Sequence, residues 1–96
     1  MNEERLALEN LAARIKEQMG IAFRVNDENI QFQNHIAVWK ISMVHRLDGK
    51  TSYIVVMKPG NQRKHTGYGQ ILDSWRELKH CLATDELLAK TNSKKG

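Results

Sequence analysis

The stretch Ile36–Lys58, "IAVWKISMVHRLDGKTSYIVVMK", decides the fold. Two runs rich in Val, Ile, Trp and Tyr flank Asp48-Gly49, and such residues suit a pleated, half-buried surface. Asp-Gly supplies the backbone angles that a tight turn between antiparallel strands requires. The stretch predicts a β-hairpin with a two-residue loop, in which Leu47 faces Lys50. Side chains alternate between the faces of a strand, so this register assigns every residue to a side. Trp39, Ile41 and Met43 join Ile54 and Val56 on a core face. Lys40, Ser42 and Val44 join Tyr53, Val55 and Met57 on an outer face.

Working outward, "IAFRV" and "IQFQ" read as further strands, separated by the turn cluster "NDEN". Residues 21–58 thus form a meander of three or four antiparallel strands. Upstream, Leu8, Leu11, Ala12, Ile15 and Met19 recur at helical spacing, which predicts a helix over 2–19. Asn2 caps its start, Glu3 and Glu4 suit its positive end, and Gly20 stops it. Downstream, Ile71, Trp75, Leu78 and Leu82 form a second helical stripe, starting near 67–70. "ATDELLAK" adds a short helix with Thr84 as its N-cap. The fold expected is α+β: an N-terminal helix, the meander and a C-terminal helix, with the helices packed on the Trp39/Ile41/Met43 face. Residues 1–90 form one domain, and 91–96 a disordered basic tail.

The chain has 96 residues and a net charge of +4. The excess is local. Residues 36–64 carry six Lys or Arg against Asp48 alone, a net +5, whereas residues 1–35 carry four against six, a net −2. Localised positive charge attracts anionic partners, either nucleic acid or an acidic protein. No apolar run approaches the ~18–20 residues that cross a membrane, and the N-terminus lacks the pattern of a secretory signal. The single Cys81 cannot form an internal disulfide, which fits the cytoplasm.

"KPGNQRKHTGYGQ", Lys58–Gln70, combines glycines with Arg63, Lys64 and His65 ahead of a helical stripe. Phosphate loops use such parts, but here Tyr68 follows Gly67 where a nucleotide loop has lysine and a hydroxyl residue. The order of helix, strands and helix, with basic residues before the last helix, resembles that of the double-stranded RNA-binding domain, which implies phosphate contacts near Arg63 and Lys64. The sequence departs from that family in lacking a lysine cluster in the first turn of its second helix. His35, His45, His65, His80 and Cys81 show no zinc-ligand spacing, so neither a metal nor a cofactor is expected. Asp27, Glu28 and Asp48 sit at turns, and nothing marks Cys81 as an activated nucleophile. No catalytic residue is assigned.

These readings describe a small non-enzymatic binding protein. The expected interaction face is Val44, Tyr53, Val55 and Met57 with Lys40, and it serves a homodimer. The alternative is nucleic-acid binding through Lys58, Arg63, Lys64, Arg46 and Lys50.

Overall fold

The structure is a computed structural model that describes residues 3–60 and 66–93. The elements run α1 (Glu3–Met19), β1 (Arg24–Val25), β2 (Ile30–Gln33), β3 (Ala37–His45), β4 (Thr51–Pro59), β5 (Tyr68–Leu72), α2 (Trp75–Ala83) and α3 (Glu86–Ser93). The class is α+β, and the five strands form one antiparallel meander in chain order. Gly20 closes α1 as expected: its φ is 75° and its N–H donates to Lys16 O at 3.0 Å.

The central hairpin forms, but its loop has three residues. Arg46 N–H donates to Lys50 O at 2.8 Å, and Gly49 N–H donates to Arg46 O at 3.1 Å. Leu47-Asp48-Gly49 is therefore a turn closed by a left-handed glycine, with Gly49 at φ 86°. The Asp48 carboxylate holds this shape, accepting from Lys50 N–H and from the Arg46 guanidinium, both at 3.0 Å. One extra loop residue slides β4 by one position, so Trp39 faces Met57, Ile41 faces Val55 and Met43 faces Tyr53. The expected faces of β4 are thereby exchanged. Tyr53, Val55 and Met57 lie on the core side, with exposures of 8%, 0% and 5%. Ile54 and Val56 lie on the outer side with Lys40, Ser42 and Val44.

All three helices pack on the core side. Leu8, Leu11 and Ile15 of α1, Leu78 and Leu82 of α2, and Leu87 and Leu88 of α3 share one core with Ile30, Trp39, Ile41 and Val55. Phe23, Phe32 and Trp39 form a row of tilted rings with centroids 5.7 and 5.6 Å apart. The Arg14 guanidinium lies 4.5 Å from the Trp75 ring and links α1 to α2.

The segment expected to open the last helix is instead the edge strand β5. The helix starts later because Ser74 caps it: its Oγ accepts from Glu77 N–H at 3.2 Å, while Glu77 Oε1 accepts from Asp73 N–H at 3.1 Å. This Ser-x-x-Glu device fixes the boundary and removes Ile71 from the helical stripe. Thr84 is the C-cap of α2, and Asp85 accepts from Leu88 N–H to cap α3. Residues 91–93 belong to α3 and not to a tail, and 94–96 lie outside the described residues. Gly67 is required by close approach, since a Cβ there would sit 2.5 Å from Met57 O.

The register sets a test that the two-residue loop would reverse. Val55→Ala is expected to lower the unfolding free energy by about 2 kcal/mol, and Val56→Ala by less than about 1 kcal/mol, in denaturant unfolding at equal m-values.

Candidate functional site

Among the described residues, no helix packs against the outer side of the sheet. Val38, Val44, Ile54, Val56 and Ile71 belong neither to the buried core nor to the partly buried residues packed on it. Ile71, at 70%, and Val44, at 42%, are the strand residues among the large exposed hydrophobics. Cross-strand pairing orders this surface. Ser42, Ile54 and Ile71 lie in one row, and Arg24, Gln31, Lys40, Val56 and Gly69 in the next. Of the expected interaction face, only Val44 and Lys40 lie here; Tyr53, Val55 and Met57 are inside the protein.

The basic residues do not converge as one group. Arg46 is held at the hairpin end by Asp48 at 3.0 Å and Asp73 at 3.4 Å, with exposed Lys50 beside it. Lys58 is at the opposite end of β4, eight residues from Lys50 and so roughly 26 Å away along an extended strand. Arg63 and Lys64 lie outside the described residues. A different set gathers. Lys40 and Lys58 are diagonal neighbours on the outer side, and Arg24 shares the row of Lys40. None of the five strands contains an acidic residue, and among the described residues Arg24, Lys40 and Lys58 form no ion pair. All six aromatic rings are in or against the core or pair with rings there, so the outer side offers no ring for base stacking.

On the core side, β5 and α2 enclose a groove of about 620 Å³, lined by Tyr68, Gln70 and Leu72 from the strand and by Arg76, His80 and Cys81 among the helix residues. Its floor is a polar cluster around buried Asp85. Asp85 Oδ2 accepts from Trp39 Nε1 at 2.9 Å and from the Tyr68 hydroxyl at 2.5 Å, and Oδ1 accepts from Leu88 N–H at 2.9 Å. The Cys81 thiol lies 3.9 Å from the Tyr68 oxygen. Burial, and then the bond to Asp85, push the Tyr68 phenol well above the ordinary range. Burial also pushes the Cys81 thiol up, against a smaller lowering by Tyr68. The thiolate is therefore scarce near neutrality, and both Asp85 oxygens already accept hydrogen bonds. Among the described residues no three His, Cys, Asp or Glu side chains gather to hold a metal, and no helix is long and apolar enough to cross a membrane.

No family model, curated protein or solved structure matches the chain. The sequence reading missed Arg24, Ile54, Val56, Gly69 and Ile71 on the open side and Asp85 beneath the groove. The alternation of Ile54 and Val56 was visible, but its direction depended on a loop one residue longer. Asp85 was visible as an N-cap type of residue beside Thr84; its bonds to Trp39 and Tyr68 span 46 and 17 residues.

The Tyr68 proton gives a pH signature. The folded chain keeps it where the unfolded chain releases it, so its stabilisation is complete below the ordinary phenol pKa of about 10 and declines as pH rises above that value. Denaturant unfolding between pH 9 and 11.5 is expected to show a loss of stability steeper in the wild-type chain than in Tyr68→Phe.

Proposed function

We propose that this protein is a small non-enzymatic interaction module that self-associates through its sheet. The observation that carries this reading is the apolar series Val38, Val44, Ile54, Val56 and Ile71 on the side of the sheet that no described helix covers. A chain of 96 residues buries a modest fraction of its surface, so apolar area left outside the core is costly unless a partner covers it. The polar cluster in the groove supports the non-enzymatic part. Its carboxylate is occupied in holding structure, and its thiol and phenol keep their protons. Sedimentation equilibrium is expected to give a concentration-dependent dimer below high micromolar concentration, weakened by Ile54→Lys; a strict monomer there overturns the reading.

A second reading rests on Arg24, Lys40 and Lys58, cations grouped on strands without a carboxylate. They suit the phosphate backbone of a nucleic acid, bound without base stacking. On this reading, binding to a mixed-sequence duplex oligonucleotide falls steeply with salt, and Lys40→Glu with Lys58→Glu abolishes it. Affinity unchanged by that pair of substitutions would exclude these cations as the contact.

A further inference from the structure

The two edges of the sheet are built differently. β1 is two residues long and carries Arg24, a short charged edge of the kind that discourages pairing with another chain. β5 is five residues long, reads Tyr-Gly-Gln-Ile-Leu, and has neither charge, proline nor positive-φ residue. Among the described residues it pairs with β4 on one side only, so its other side presents backbone donors and acceptors that no described strand meets. Its side chains also leave two features unexplained within one chain. Ile71 is 70% exposed, and Gly69 stands where a Cβ would meet nothing within 4 Å. Neither backbone angle nor space demands glycine there.

We infer that β5 pairs antiparallel with β5 of a second copy, about a two-fold axis through Gln70, to give a continuous ten-stranded sheet. This rests on the self-association reading only in that the partner is a second copy; it moves the contact from the open face as a whole to the β5 edge, where Ile71 is covered and Val38 and Val44 are not. Centring on Gln70 uses all five residues: Gln70 faces Gln70 of the partner subunit, Ile71 faces the partner subunit's Gly69, and Tyr68 faces the partner subunit's Leu72. Opposite residues in an antiparallel pair project from the same face. Gly69 is next to Val56 in its own row, and Ile71 is next to Ile54. The merged outer row therefore runs Ile54, Ile71, the partner subunit's Gly69, the partner subunit's Val56. Each Ile71 fills the depression that the missing side chain leaves beside the opposite Val56. One pairing thus accounts for the exposed isoleucine and the open glycine together.

Charge favours this contact over stacking of the open faces. β5 is uncharged, so two copies meet there without repulsion. Face-to-face stacking brings Arg24, Lys40 and Lys58 of both chains into one interface whose strands hold no acidic residue.

Two variants of the full chain test the pairing. Gly69→Val fills the depression, and its Cβ meets no atom of its own chain within 4 Å. It is expected to leave the circular dichroism and unfolding midpoint of the monomer intact and to weaken the dimer about tenfold or more in sedimentation velocity. In a Cys81→Ser background, Gln70→Cys is expected to form a disulfide across the axis on mild oxidation, and Ser42→Cys, in the middle of the outer face, is expected to form none. A dimer that is tightened by Gly69→Val, or that cross-links through Ser42→Cys and not Gln70→Cys, overturns the edge pairing and leaves self-association standing. A chain that stays monomeric at high micromolar concentration overturns both, and leaves the β5 edge to an extended segment of another protein.

Discussion

Asp85 ties three elements together through one buried side chain. Its carboxylate receives the Trp39 indole N–H from the central strand, the Tyr68 hydroxyl from the edge strand and the Leu88 N–H from the last helix. A carboxylate removed from water is strongly unfavourable unless donors replace the lost solvent. Here three donors do so, and each belongs to a different element. One group thus adds a fixed polar contact to what the β4–β5 ladder and the shared core already hold together. The groove between β5 and α2 is a consequence, since the hydrogen bond at Tyr68 holds one end of the strand against the helix pair.

The Asp85 bonds lie on the same side of the sheet as the apolar stripes of all three described helices. Trp39 is fully buried, and its indole points to the side where Asp85 lies. Both C-terminal helices pack on that side, and α1 adds Leu8, Leu11 and Ile15. No described helix remains for the other side, although Ile54, Val56 and Ile71 are apolar. A sheet of this length has enough β-branched residues for two buried faces and enough helix for one. The surplus apolar surface is left outside the core.

How much of this was legible in the sequence depended on the range of each interaction. The α1 helix was legible because its signals, the Leu8–Leu11–Ile15 spacing and Gly20, are local. So was the hairpin around Asp48-Gly49. The β5 strand was misread because Ile71, Trp75, Leu78 and Leu82 satisfy a helical period, while the decisive Ser74–Glu77 cap is a four-residue signal inside it. The expected interaction face was displaced by a single residue. A turn closed by Asp48 and a left-handed Gly49 needs Leu47 in the loop, and a period of two converts that residue into an exchange of faces.

The sequence by itself determined the α+β class, the place of the central hairpin and the absence of acidic residues from the strands, because these follow from composition and from contacts between near neighbours. Tertiary structure decided which side of β4 is buried, which cations share a surface, and that Asp85 is a buried hub rather than one more cap. Those outcomes turn on register and on hydrogen bonds across 17 and 46 residues of chain, where local preference carries no information about which partner is met.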